Sequence, residues 1–193
     1  MELLYKKGRC IIGNPPYGVS NTLAVKFYKH AIQQGDYISF ILPISQLNNN
    51  MQMYEFDMIH SEDLGVQSYS TIDVHCCLNI YKRNENGYNK KPKYDLIDVS
   101  FVEIRKNKHG FDKIVPHNYD FTICTFGSIG VLCNENQYAT QLYITINNNN
   151  LRHIIKETIL NADWKTIYPM TKVPRLKQWQ IYKYLKQQIP NIK

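Results

Sequence analysis

The most specific chemistry in the chain lies near its N-terminus, in Ile11-Ile12-Gly13-Asn14-Pro15-Pro16-Tyr17-Gly18. Two consecutive prolines fix φ at both positions and remove two backbone donors, so the loop is stiff and presents carbonyl acceptors without competing N–H groups. Such a loop suits an amino group. The side-chain oxygen of Asn14 and the carbonyl of Pro15 can accept both hydrogens of an exocyclic amine, leaving its nitrogen lone pair aimed at an electrophile. Tyr17 then offers a stacking face for a base. The competing reading is a proline-stiffened turn with Tyr17 packed beneath it.

The other clusters are weaker. His75-Cys76-Cys77, with His109 and His117 elsewhere, lacks zinc spacing and reads as strand packing. No base is indicated for a nucleophilic cysteine. Five cysteines, two of them adjacent at Cys76-Cys77 and the others scattered, suit a reducing compartment. A basic loop holds Lys90, Lys91 and Lys93, and the C-terminal cations Lys172, Arg175, Lys177, Lys183 and Lys186 interleave with Trp179, Tyr182 and Tyr184. Cations interleaved with rings can track a phosphate backbone, so Lys90, Lys91, Lys93, Lys172, Arg175 and Lys177 are the candidate nucleic-acid contacts. An amphipathic helix packing Trp179, Tyr182 and Leu185 under a solvated basic face accounts for the C-terminal set equally well.

The elements that must position the loop follow from hydrophobic pattern. Cys10-Ile11-Ile12 reads as a short buried strand. Ser20 or Asn21 can N-cap a helix with an apolar face of Leu23, Phe27 and Ala31 and an end at Gly35. Tyr37–Leu42 is a second buried strand, stopped by Pro43, which makes a β-loop-α-β unit with a parallel pair. Ser45 to Ile59, with Met51, Met53, Tyr54, Phe56 and Met58, suggests a helix or an ordered lid-like loop and is read mainly as core. Leu64–Tyr69 and His75–Tyr81 suit an antiparallel pair. Further on, Leu96–Arg105 and Phe121–Thr125 look extended, Gln141–Ile146 alternates like a half-buried strand, and two helices are expected, at Asn150–Leu160 and from Pro174 to Gln188.

With 193 residues, 44% hydrophobic and 20% charged, the chain is long enough for a real core, and intrinsic disorder is excluded as its main state. A net charge of +7 suits an anionic partner such as nucleic acid. No apolar run approaches the roughly 20 residues that span a bilayer and no secretory signal is evident, so the expected location is cytoplasmic, with no membrane partner.

On these residues the sequence resembles the S-adenosylmethionine-dependent amino-methyltransferases that modify adenine N6 or cytosine N4 in DNA. In that family a strand ends in Asp/Asn/Ser-Pro-Pro-aromatic and the target base is flipped into the site. Phe40-Ile41-Leu42-Pro43-Ile44-Ser45 resembles the strand and loop after that motif, and Val74–Tyr81 a later strand. The Asn form looks more like the adenine-specific enzymes. The resemblance implies that Asn14 and Pro15 bind the amine, that Tyr17 stacks on the base, and that Asn14, Pro15, Pro16 and Tyr17 form the catalytic loop.

It also implies an α/β fold: a partial Rossmann-like methyltransferase sheet with crossover helices, plus a mixed α+β C-terminal region. The expected divisions are a methyltransferase-like catalytic half at 1–83, a basic loop at 84–94, and a partner- or nucleic-acid-binding region at 95–193. The family's cofactor half normally precedes the catalytic motif, and only 13 residues precede Asn14 here. A permuted glycine-rich turn could be Phe126-Gly127-Ser128-Ile129-Gly130, though its spacing suits a plain turn or bulge better. The strand around Arg9–Ile12 is then expected at a sheet edge, covered by the chain's own C-terminal region, a second copy, or a separate polypeptide bearing the cofactor half.

The leading expectation is methyl transfer from S-adenosylmethionine to a flipped adenine in DNA, as in restriction-modification, with a partner chain supplying the cofactor half. The alternative is a catalytically inactive descendant that binds DNA or protein, such as a phage-type inhibitor of a host defence nuclease.

Overall fold

The computed structural model describes residues 4–69, 72–169 and 173–193. The chain is mixed α and β, with two sheets and few helices, and divides into two units, Met1–Pro92 and Lys93–Lys193, each with its own apolar core.

The first unit starts from the expected parallel pair. β1 (Cys10–Gly13) lies beside β2 (Tyr37–Pro43), with α1 (Thr22–Ala31) crossing between them. In β2 the alternation Ile38, Phe40, Leu42 puts one face into the core. A long hairpin then completes the sheet: β3 (Asp57–Tyr69) and β4 (Ile72–Lys82) pair antiparallel, and β4 also pairs antiparallel with β2, for the order β1-β2-β4-β3. Strands β1, β2 and β3 therefore point one way and β4 the other, so the ends of the first three meet the beginning of β4. The sheet has one parallel pair and one crossover helix; the rest is antiparallel. β1 is an edge strand, and its Ile12 is 79% exposed.

α1 turns a different face inward from the one its sequence suggests. Ala24, Tyr28 and Ala31 are buried, whereas Leu23 and Phe27 are exposed. Both sets recur at helical spacing, and tertiary packing selects between them. The Tyr28 ring meets Tyr81 at 5.1 Å and Phe56 at 6.4 Å, edge to face, and its hydroxyl accepts the Phe56 N–H at 2.9 Å. The helix ends before Gly35, where a Cβ would lie 2.6 Å from the Arg9 carbonyl oxygen; glycine permits that close approach. Arg83, just before the basic loop, is structural. It donates to Asp36 at 2.8 Å and to the Gly35 carbonyl at 2.9 Å, and its guanidinium lies 4.7 Å from the Phe56 ring centroid.

Residues 45–56 form no helix: a single turn, Ile44–Gln46, leads into irregular chain. Met53 and Phe56 are core, and Met58 belongs to β3.

The second unit is a five-stranded antiparallel sheet of β5 (Val99–Asn107), β6 (Gly110–Phe111), β7 (Phe121–Cys124), β8 (Leu132–Cys133) and β9 (Thr140–Ile146), in the order β6-β5-β9-β7-β8. Three helices follow, α2 (Arg152–Leu160), α3 (Trp164–Ile167) and α4 (Gln178–Gln188). Ile155, Ile159, Ile181 and Leu185 of α2 and α4 join Val99, Leu142 and Ile144 in one core.

Two elements of the second unit differ from their sequence pattern. β9 is the central strand, flanked by β5 and β7, and Gln141 through Ile144 are all buried, so it is not half-buried. The last helix starts at Gln178, not at Pro174. Leu176 donates its N–H to the Thr125 carbonyl, and the Pro174 carbonyl accepts from Gly127, both at 2.9 Å, so backbone pairing holds 174–176 extended where local propensity favours a helix start.

Candidate functional site

The Asn14-Pro15-Pro16-Tyr17 loop leaves the carboxyl end of β1, the end of a parallel pair where α/β sheets place their ligand crevices. Pro15 is buried, Asn14 and Pro16 are exposed and Tyr17 is half-buried. The loop also starts α1. The Tyr17 carbonyl accepts the N–H groups of Leu23 at 3.1 Å and Ala24 at 3.4 Å, replacing the side-chain cap expected from Ser20 or Asn21. Gly18 has φ 68°, and a Cβ there would meet Leu23 Cγ at 2.8 Å. Ser20 and Asn21 follow with φ of 52° and 64°, two adjacent non-glycine residues in the left-handed region. Such conformations cost about 1–3 kcal/mol each and persist where the surroundings over-determine them. Here Gln52 donates to the Ser20 carbonyl at 3.1 Å, and Asn21 donates to Gln52 Oε1 at 3.4 Å.

Asn14 is held at both ends of its amide. Its Nδ2 donates to the Tyr69 hydroxyl at 3.1 Å, and its Oδ1 accepts from the Tyr17 hydroxyl at 3.2 Å. The Cys76 sulfur lies 3.5 Å from the Tyr17 oxygen and 3.7 Å from that of Tyr69. Burial first, then the Cys76 and Tyr69 groups, raise the Tyr17 phenol far above its ordinary value, so it remains a neutral O–H donor. The amide oxygen keeps a second acceptor direction. Among the described residues no N–H donates to the Pro15 carbonyl, the second acceptor of the expected pair.

β1, β3 and β4 thus bring Asn14, Tyr17, Tyr69 and Cys76 together at one end of the sheet. Sequence reasoning found the first two. Tyr69 and Cys76 lie 55 and 59 residues away from their partners and carried no motif; the β3–β4 pairing puts them there. Neither thiol of the Cys76-Cys77 pair is built as a nucleophile. Cys76 is fully buried, and burial, then its neighbour Cys76, push Cys77 up to about 12. His75 instead pairs with Asp63 at 2.6 Å.

A cleft of about 290 Å³ opens between the free edge of β1 and α1, lined by Ile11, Asn14, Pro15, Phe27, His30 and Gln34 among others. It contains the exposed Phe27, and the ring nitrogen of His30 lies 2.8 Å from Gln34 Nε2.

The Phe126–Gly130 segment does not form a cofactor loop. It connects two antiparallel strands, its Gly127 N–H is taken by Pro174, and a Cβ on Gly130 would overlap Trp164 at 2.2 Å. The glycines serve packing and a turn, so this segment does not supply a glycine-rich cofactor turn.

The six candidate nucleic-acid contacts are divided between the two units. Lys90 and Lys91 are exposed in the first unit, Lys93, Arg175 and Lys177 are exposed in the second, and Lys172 lies outside the described residues. Arg175 reaches Glu103 at 3.6 Å. The aromatics between the C-terminal cations are engaged in packing: Tyr182 lies 4.3 Å from Phe101, and Trp179 5.9 Å from Tyr94. The amphipathic-helix reading therefore accounts for them.

Comparison with family models, curated proteins and solved structures finds no match to this chain. Among the described residues no helix is long and apolar enough to cross a membrane.

Proposed function

We propose that residues 1–92 are the catalytic half of an adenine-specific DNA amino-methyltransferase with a partial Rossmann-like sheet, acting with S-adenosylmethionine held by a polypeptide segment seated along the free edge of β1. One observation carries this reading. A stiff Asn-Pro-Pro-Tyr loop stands at the carboxyl end of a parallel strand, with Asn14 oriented by Tyr69 and a carbonyl acceptor, Pro15, next to it.

Asn14 Oδ1 and the Pro15 carbonyl accept the two hydrogens of the exocyclic amine. That fixes the nitrogen lone pair along one direction and supplies catalysis chiefly by positioning. Tyr17 bounds the base site, with its hydroxyl anchored on Asn14 and its ring available to the flipped base. S-adenosylmethionine supplies the methyl group. The exposed Ile12 and the cleft beside β1 are what an edge completed by further chain would leave.

The alternative, a non-catalytic binding protein of the same ancestry, is favoured by the Tyr17 hydrogen bond, which already occupies one acceptor direction of Asn14. Expression in a methylation-deficient bacterium, with and without a segment carrying a cofactor half, separates the two. Genomic N6-methyladenine that disappears in Asn14→Ala supports the enzyme. Its absence when the segment is present, or its persistence in Asn14→Ala, overturns it.

A further inference from the structure

Charge divides unevenly along the chain. Residues 1–92 hold 9 Lys+Arg against 8 Asp+Glu, and residues 93–193 hold 14 against 8, so +6 of the net +7 lies in the second unit. Residues 105–113, in and just past the β5–β6 hairpin, hold Arg105, Lys106, Lys108 and Lys113 against Asp112 alone, and the candidate contacts read from sequence do not include them. Paired with β9 only as far as Arg105, β5 then continues as a two-stranded ribbon, Lys106 opposite Phe111 and Asn107 opposite Gly110.

The ribbon is rigidly made. Asp112 and Arg105 exchange bonds: Arg105 N–H donates to Asp112 Oδ1 at 2.7 Å, and Asp112 N–H to the Arg105 carbonyl at 2.9 Å. At the tip the Asn107 side chain accepts the His109 N–H at 2.8 Å, and Gly110 takes φ 112°, so the two-residue turn places Lys108 and His109 at the end.

Arg105 alone among its cations has a carboxylate partner among the described residues. Glu103 engages Arg105 at 2.7 Å and Arg175 at 3.6 Å, and Asp112 is committed to the Arg105 backbone. Among the described residues no carboxylate pairs with Lys106, Lys108 or Lys113, all exposed. One lysine lies on the outgoing strand, one at the tip and one just past the returning strand. The half-exposed Phe111 ring lies 5.8 Å from the Lys106 ammonium.

We infer that the Arg105–Lys113 hairpin is a duplex-DNA-binding ribbon that enters a groove, with Lys106, Lys108 and Lys113 on the flanking phosphates. A two-stranded ribbon fits the major groove, about 12 Å wide, and cations on both of its margins match the phosphates on both groove walls. An acidic protein surface offers no such paired walls. The choice of DNA as the polyanion rests on the methyltransferase reading; the ribbon's geometry and charge do not.

The test is fluorescence anisotropy of the full chain with a labelled mixed-sequence duplex, from about 50 to 200 mM salt. In Lys106→Ala/Lys108→Ala/Lys113→Ala, binding weakens by about ten-fold or more, and the slope of log K against log salt shrinks in magnitude by about 2–3. The exposed positions leave the thermal midpoint near wild type. An unchanged slope overturns the assignment. So does tighter binding to single-stranded RNA or to an acidic polypeptide than to the duplex, or an equal loss for Lys90→Ala/Lys91→Ala/Lys93→Ala. Methyl transfer is read separately, as genomic N6-methyladenine that depends on Asn14, so failure of methyl transfer and failure of the ribbon are distinguishable.

Discussion

The two units solve different problems with similar amounts of chain. The first is nearly neutral, packs Tyr28, Phe56 and Tyr81 edge to face in its core, and carries a loop stiffened by two prolines. The second is strongly basic, pairs its described strands antiparallel, and packs helices α2 and α4 in one core with that sheet. Backbone strain also differs. Three residues with positive φ, Gly18, Ser20 and Asn21, cluster directly after Tyr17, whereas in the second unit Gly127 and Gly130 serve a turn packed on Trp164. A glycine-rich segment and a proline-rich one are told apart by what the surrounding chain does with them: the proline loop lines an open cleft, and the glycine segment packs on Trp164.

The largest test of this separation is Tyr28→Ala. Removing that ring from beneath α1 is expected to cost the first unit about 3–5 kcal/mol. Hydrogen exchange read by mass spectrometry then shows lost protection in 1–92 and native protection in 93–193; loss in both would mean that the units do not unfold independently. Gly130→Ala does the reverse at smaller scale. A methyl group at φ 78° meeting Trp164 is expected to cost about 1–3 kcal/mol, with protection lost in the second unit only.

Tyr69→Phe sharpens the comparison at the site. Deleting one hydroxyl that accepts from Asn14 removes about 0.5–1.5 kcal/mol from the first unit. Nuclear magnetic resonance of the Asn14 side-chain amide protons then shows faster exchange with water, and an unchanged rate would remove Tyr69 from the orienting role.

The smallest effect is a pH slope. The Gly8 N–H first, then Tyr5 and the Arg83 guanidinium, lower the Asp36 carboxyl below its ordinary value. A depressed folded-state pKa means that its stabilisation is complete above the unfolded carboxylate pKa of about 3.9 and is lost as pH falls through the folded value. Thermal melts of Asp36→Asn are therefore expected to fall less steeply with acid than wild type below about pH 4. An identical acid slope would show that Asp36 contributes nothing to it.

Much of the first unit could be read locally. Three features marked β1-loop-α1-β2 because each has a short-range physical cause: an apolar run, a double proline that removes donors, and a strand stopped by Pro43. The position of β1 at an edge was expected from the family resemblance, whose cofactor half would flank that strand, and not from the segment itself. The phase of α1 did not, because Leu23-Phe27 and Ala24-Tyr28 are equally good helical stripes and only the aromatic neighbours from Phe56 and Tyr81 choose between them. In the second unit Pro174 carries a valid helix-start signal that a backbone pairing with Thr125 and Gly127 overrides.

The sequence by itself determined the stiff acceptor loop, the element that delivers it and the excess of positive charge, since these depend on covalent restriction, hydrophobic period and composition. Tertiary structure alone decided that Tyr69 and Cys76 stand beside Asn14 and Tyr17, that Glu103 draws in Arg105 and Arg175 while three hairpin lysines stay unpaired among the described residues, and that Gly130 is filled by Trp164. These are pairings across long stretches of chain, and no local preference encodes which distant residue will arrive.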